Sequence, residues 1–265
     1  MSGQLDYEGF KFNHKGFKKV NDPITVEKAL QISINGKSFT VVMQTPGSEL
    51  ELAVGLLYSE DVLKLNSTYT HSFEKDENGA IEIVNFAISE QDLGKGYLSS
   101  RSLLSVSSCG ICGKQSLSDL TIDGNALKPA EKLSPHFIFD LQTKMHKAQA
   151  IFPHTGSIHG AAIFNPEGAL LTCQEDIGRH NALDKAIGDL ILTKKQAAGN
   201  ILFFSGRISY EIVIKSFRAK IHTIIAISGP SSLAIDYAKE FGINLIGFCR
   251  DGRFTVYTEG GVQRD

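Results

Sequence analysis

Three short apolar runs fix the second half of this chain: Ile201–Phe204, Thr223–Ile227 and Asn244–Phe248. Each ends in a loop of small and charged residues. These are Ser205-Gly206-Arg207, Ser228-Gly229-Pro230-Ser231-Ser232, and Cys249-Arg250-Asp251-Gly252-Arg253. A helical stretch follows the first two loops, and a last strand, Phe254–Thr258, follows the third. Strand, loop, helix, strand predicts a largely parallel sheet covered by helices. Upstream, Ser134-Pro135 supplies an N-cap and a first-turn proline for a helix that lines up Ile138, Leu141, Met145 and Ala148. A hairpin then joins Ala161–Phe164 to Ala169–Thr172 through Asn165-Pro166-Glu167-Gly168. Leu183, Ala186, Ile187, Leu190 and Ile191 predict a helix over residues 176–192.

The first half reads as a smaller α+β unit. Leu30, Ile32 and Ile34 alternate with polar residues, and Phe39, Val41 and Met43 alternate back. Asn35-Gly36 between them predicts a tight primed turn. Ser48 and Glu51 form a capping-box pattern opening a helix through about Tyr58. Tyr69–Phe73 and Ile81–Ile88 predict a second hairpin turning near Asn78-Gly79. Residues 1–21 read as a mobile tail, 22–104 as the small domain, and 105–265 as the larger α/β domain. Residues 91–108, with Gly94, Gly96 and six serines, read as a mobile linker.

A net charge of −2 gives no global basic field for nucleic acid. No apolar run approaches the ~18 residues of a membrane span. The start of the chain lacks a basic, apolar leader, so a cytoplasmic location is expected. Four cysteines in a reducing compartment argue against a disulfide scaffold.

In sheets of this kind ligands bind beyond the carboxyl ends of the strands. Glu175-Asp176 with Arg179-His180-Asn181, and the loops at Ser205, Ser228 and Arg250, all fall there. Glycine, serine and arginine near helix N-termini suit a phosphate or pyrophosphate. His154 and His159 are a candidate ligand pair or proton relay; His180 equally fits a solvated helix face. Cys173 and Cys249 each end a strand and read as small buried apolar residues.

Ser107-Ser108-Cys109-Gly110-Ile111-Cys112-Gly113-Lys114 is the one site that demands sulfur chemistry. Its two thiols suit zinc, a redox dithiol or a persulfide relay. Zinc lacks a second Cys-x-x-Cys, and a redox dithiol lacks the βαβ context. On the residues alone the three uses stay open. A zinc deaminase is excluded: it needs His-x-Glu before Pro-Cys-x-x-Cys. Here the cysteines come first, Ser108 stands at the proline position, and His159-Gly160-Ala161 puts alanine where glutamate should be.

Together the Ile32–Gly47 hairpin segment, Ser108-Cys109-Gly110-Ile111-Cys112-Gly113, Thr155-Gly156-Ser157-Ile158-His159-Gly160-Ala161 and the run Glu175 to Lys185 (Glu-Asp-Ile-Gly-Arg-His-Asn-Ala-Leu-Asp-Lys) resemble the formate dehydrogenase accessory family, FdhD. Ser205-Gly206-Arg207 and Gly247–Arg253 add to the likeness, which covers roughly residues 22–260. The resemblance implies a cytidine-deaminase-like three-layer α/β domain in a homodimer. It implies a sulfurtransferase that takes persulfide sulfur from a cysteine desulfurase and hands it to molybdenum bis(molybdopterin guanine dinucleotide) before that cofactor enters formate dehydrogenase. Cys109 would carry the persulfide and Cys112 assist, with no resident metal. Phe248, Cys249, Arg250, Asp251, Gly252 and Arg253 would contact the cofactor, together with Ser205, Gly206, Arg207, Ser228, Gly229 and His180.

Overall fold

A computed structural model gives the structure of the protein and describes residues 3–99, 125–128 and 130–263. Cys109 and Cys112 lie outside the described residues. Strands β1 (Gln4–Asn13) and β2 (Gly16–Thr25) form a two-stranded antiparallel hairpin that, among the described residues, no third strand joins. This corrects the reading of residues 1–21 as a tail. The polar turn at Asn13–Gly16 and the charges between the aromatics hide the strand period, and only the cross-strand register reveals it.

β3 (Lys28–Ile34) and β4 (Lys37–Gln44) turn through Asn35 and Gly36, whose φ angles of +50° and +73° are those of the predicted primed turn. Helix α1 (Glu49–Ser59) follows. Its capping box does not form. Ser48 Oγ instead donates to Gln174 Oε1 in the other half of the molecule, and Glu49 Oε1 accepts from the Gly47 amide. β5 (Tyr69–Lys75) and β6 (Ile81–Ile88) complete a sheet of order β4-β3-β6-β5, and β3 runs parallel to β6. Leu30, Ile32, Ile34, Val84 and Phe86 pack on Leu52, Ala53, Val54 and Leu57 of α1. The expected linker is structured as far as it is described. Helix α2 (Lys95–Ser99) occupies part of it. A Cβ at Gly94 or Gly96 would lie 1.9 Å or 1.8 Å from the carbonyl oxygens of Asp61 and Glu60. These glycines serve close approach rather than freedom.

The larger unit begins with α3 (Pro135–Ala148), capped by Ser134 accepting from the Phe137 amide, and a short α4 (Phe152–Thr155). β7 (His159–Phe164) and β8 (Leu170–Asp176) form the predicted hairpin, and α5 (Arg179–Leu192) follows. β9 (Ile201–Phe204), α6 (Tyr210–Arg218), β10 (Thr223–Ala226), α7 (Ser232–Glu240), β11 (Asn244–Arg250) and β12 (Arg253–Val256) complete it. The sheet order is β12-β11-β10-β9-β7-β8. Only β9-β10 and β10-β11 are parallel, so the sheet is mixed where a largely parallel one was expected. Ala161, Ile163, Leu202, Phe204 and Ile224 face α5, α6 and α7; Ala162, Phe164, Phe203 and Ile225 face α3. The period-two alternation of each strand therefore serves two cores at once, giving three layers.

The two units meet where α1 crosses α5. Gly55 and Gly188 bring the backbones into contact there: a Cβ on either would lie under 2 Å from a carbonyl oxygen of the other helix.

Candidate functional site

The strand directions bring the predicted loops to one edge. β9, β10 and β11 end there; β7, running the other way, starts there, and β8 ends beside it. The loops are tied in sequence. The Ile208 amide donates to Gly229 O, the Ser231 amide to Ile208 O, and the Phe248 amide to Ser228 O. Ser205, Gly206 and Arg207, Ser228 and Gly229, and the Phe248–Arg253 segment thus stand side by side.

At the near end, Ser205 Oγ accepts from the Gly160 amide at 2.9 Å and lies 3.3 Å from His159 Nδ1. Burial holds the His159 pKa below the ordinary histidine value, and the nearby Arg179, His180 and Arg207 push the same way against the Asp176 carboxylate. Protonating His159 therefore costs more in the folded chain than in the unfolded one. Its share of stability is complete above the ordinary histidine pKa of about 6.5 and is lost as pH falls through the lower folded value. His159→Gln removes this titration. The expected result is a smaller drop in urea midpoint between pH 7 and pH 5 than wild type shows; an unchanged drop refutes it.

Arg179 packs its Cβ against Gly206, where an added methyl would sit 3.2 Å away, and its Nε is buried without a hydrogen-bond partner. It opens α5, whose N-cap Gly178 offers no capping side chain. A cation at a helix N-terminus adds to the positive end of the helix dipole rather than offsetting it. Such an arrangement suits a bound anion.

His180 departs from the expected solvated face. It is buried, with Nε2 2.9 Å from Glu211 Oε2 and 3.3 Å from Ser209 Oγ. One turn on, Lys215 binds both carboxylate oxygens of Asp184, which also accepts from Ser59. The pairs form a ladder between α5 and α6, spaced i, i+4 on each helix. Burial alone would lower the Lys215 pKa; Asp184, Glu60 and Glu211 outweigh it and hold it above the ordinary value. The sequence reading missed Glu211 and Lys215. Their signal was the four-residue spacing shared with His180 and Asp184, which has no meaning until the helices are known to be neighbours.

The run from Glu175 to Lys185 divides by task. Glu175 accepts from the amides of Ala150, Ile151 and Phe152 and from Gln149 Nε2, fixing the start of α4. Asp176 ends β8 and accepts from the Thr45 amide, the Gly178 amide, Asn181 Nδ2 and Lys185 Nζ. The predicted helix start is therefore corrected from residue 176 to Arg179: the Asp176 side chain is spent holding the strand end to the β4–α1 loop. Arg179 is left to serve the edge, while His180 is held between α5 and α6 by Glu211.

At the far end, β11 bulges between Gly247 and Arg250. Phe248 takes a φ of +55°, an outlier for a bulky residue that costs of order 1–3 kcal/mol. Its ring covers Gly229, where any Cβ would meet Cζ at 2.4 Å. Asp251 and Gly252, at +54° and +70°, turn the chain so that Arg250 and Arg253 pair directly across the ladder. Like charges placed so repel. The exposed Asp251, 4.0 Å from Arg253, does little to offset this. With Phe248, Phe254 and Thr255 the two arginines line a cavity of ≈ 240 Å³. The Cys249 side chain, by contrast, is fully buried on the α3 side, and its carbonyl accepts from Gln142 Nε2. Burial pushes its thiol up to about 11 and that of Cys173 up to about 12, so neither offers a thiolate. The expected cofactor contact at Cys249 is corrected to one its backbone alone can make.

His154 is exposed on α4 and takes no part in the His159–Ser205 contact. Among the described residues no three His, Cys, Asp or Glu side chains converge as metal ligands, and no helix is long and apolar enough to cross a membrane.

A family model described as the FdhD/NarQ family matches residues 25–263. The chain is 39% identical over 256 residues to the sulfur carrier protein FdhD of Saccharolobus solfataricus, covering 96% of this chain and 92% of that one. To the protein of that name from Sulfolobus acidocaldarius it is 40% identical over 239 residues, 89% of each chain. To that from Streptomyces avermitilis it is 36% identical over 248 residues, 89% of this chain and 87% of that one. A crystal structure from Desulfotalea psychrophila, described as a formate dehydrogenase accessory protein, superimposes with a TM-score of 0.74 over 97% of both chains at 20% identity. That likeness speaks to the fold.

Proposed function

Because the chain belongs to the FdhD/NarQ family, we propose that it is a sulfur carrier serving formate dehydrogenase. Its donor is a cysteine desulfurase, and its acceptor is molybdenum bis(molybdopterin guanine dinucleotide). The cofactor is cargo, a substrate of the transfer rather than a resident group. The Cys109 thiolate attacks the outer sulfur of the donor's persulfide. The new S–S bond forms as the donor's own S–S bond breaks, and the donor leaves as a thiolate. No net oxidation occurs in this step. Cys112 then releases the sulfur: its thiolate attacks the inner sulfur, the outer one departs as hydrosulfide, and a Cys109–Cys112 disulfide remains. A cellular thiol reduces that disulfide.

The observation that carries the reading is the opposed pair Arg250 and Arg253, raised by a tight turn at an edge that also gathers Arg179 and Arg207, in a chain that owns a glycine-fenced thiol pair. The cargo's guanine-nucleotide pyrophosphates match the clustered arginines of this edge in charge. Phe248, held out over Gly229, offers a flat apolar surface beside them.

The test weighs intact protein after incubation with desulfurase and cysteine. Wild type and Cys112→Ala are expected to gain one sulfur atom and Cys109→Ala none; a gain that survives in Cys109→Ala refutes the carrier assignment. GDP serves as probe for the edge. Arg250→Ala with Arg253→Ala is expected to weaken its binding by tenfold or more, since a charged hydrogen bond is worth about 1.5–3 kcal/mol. Unchanged affinity removes the cargo site.

A further inference from the structure

Ser205 follows β9 with its side-chain oxygen fixed in place. Its amide donates to Gly160 O, and the Gly160 amide donates back to Ser205 Oγ at 2.9 Å. The same oxygen lies 3.3 Å from His159 Nδ1. A hydroxyl has one proton to give and two lone pairs to fill. The Gly160 amide fills one of them. The use of the other, and of the proton, depends on the histidine ring. A bare Nδ1 can only accept, so the Ser205 proton is spent on the ring and none is left for a ligand. A protonated Nδ1 donates to Oγ, both lone pairs are then filled, and the Ser205 proton must point elsewhere. Ser205 is only half-buried and opens the loop that carries the exposed Arg207, so the direction left to that proton is the sheet edge.

Every element packed against His159 bears on whether its ring is charged. β8 sets Asp176 across the ladder from it, but that carboxylate is already paired with Lys185 at 2.8 Å. Glu175, beside it on β8, is turned to the amides that open α4. α5 brings Arg179 and His180, and the loop before α6 brings Arg207. On the α3 side the neighbours of Gly160 are Met145 and Gln149, which carry no charge. The cations prevail, and with burial they keep the ring neutral at pH 7. An anion bound at the edge reverses this balance. Its charge offsets the arginines and favours the imidazolium.

We propose that His159 is a positioning residue for phosphate at this edge: once protonated, its Nδ1–H takes Ser205 Oγ as acceptor and turns the serine's own proton out to a phosphate oxygen. Phosphate and one proton from solvent then bind together, and no covalent bond changes. The inference rests on the edge being the cargo site and adds a property to it. The pyrophosphate is held more tightly as pH falls and let go as pH rises. The coupling is bounded, because one proton changes affinity by at most about tenfold per pH unit.

Di(guanosine) pyrophosphate serves as the probe, because a pyrophosphate diester has no group of its own that titrates near neutral pH. Calorimetry of the full chain at pH 7, in two buffers of different ionisation enthalpy, reads the protons taken up per probe bound. Wild type is expected to take up about half a proton or more, and to bind about threefold or more tighter at pH 6 than at pH 8. This measurement needs no variant to fold. His159→Asn separates positioning from packing. The asparagine amide nitrogen falls near the place of Nδ1 and always carries protons, so it donates to Ser205 without titrating. That variant is expected to bind at pH 8 at least as tightly as wild type does there, equally at pH 6, and with no proton uptake. Ser205→Ala is expected to weaken binding at pH 6 about tenfold. Wild-type binding without proton uptake, uptake that survives in His159→Asn, or full affinity in Ser205→Ala overturns the inference and leaves the cargo site standing. A probe that does not bind wild type overturns both.

Discussion

Lys185→Met is expected to cost about 3–5 kcal/mol of folding stability, a loss of roughly 10 °C in melting temperature for a chain of this size. Lys185 and Asp176 are 2% and 0% exposed and 2.8 Å apart. Lys185 also donates to the carbonyls of Thr45 and Glu175. Removing the ammonium strands a carboxylate that solvent cannot reach and leaves those two carbonyls short of a donor. Methionine keeps the stem and most of its packing, so the loss isolates the charge. The Asp176→Leu, Lys185→Met double variant is expected to be more stable than Lys185→Met alone, because it buries no unpaired ion. Urea unfolding of wild type, single and double variants reads both results. A single variant within 1 kcal/mol of wild type would mean that water or another cation reaches Asp176, contrary to this structure.

Gly188→Ala is expected to destabilise by about 2 kcal/mol or more, although alanine is the better helix former by about 1 kcal/mol. The added methyl would lie 1.9 Å from Glu51 O and 2.9 Å from the Gly55 amide nitrogen. Both are backbone atoms that no rotamer change can move aside. α1 must shift outward, and the shift reaches both cores: Tyr58 of α1 packs into the core of the large unit, and Ile191 and Leu192 of α5 into that of the small one. Gly55→Ala makes the same demand on the same crossing, through Asp184 O. The two substitutions together are expected to cost less than their sum, since one displacement relieves both. A stabilising Gly188→Ala would show that the helices do not touch here.

Regular elements with strong local signals were legible in the chain. Asn35-Gly36 announced its hairpin because few residues tolerate two positive φ angles in succession. Ser134-Pro135 announced α3 because cap and first-turn proline act through atoms of their own segment. The loops at Ser205, Ser228 and Arg250 were correctly gathered at one edge, because three parallel strands leave no other place for them. The β1–β2 arm was not legible: its aromatics alternate with lysines, and without a buried face nothing marked one parity as inward. The mixed character of the sheet was hidden for a different reason. β7 could join β9 in either direction, and only pairing decides which.

The sequence alone determined that the chain would carry a thiol pair fenced by glycines, three anion-suited loops and two units of alternating apolar pattern, for each depends on residues near one another in the chain. What tertiary structure decided was the division of labour among charged residues of one run. Asp176, Asp184 and Lys185 look as solvent-facing as Arg179 until α5 is laid against β8, α1 and α6. Burial then makes the first three structural and leaves Arg179 at the edge. A charge costs or stabilises according to what surrounds it, and most of what surrounds Asp184 lies far along the chain: Lys215 is 31 residues away and Ser59 is 125.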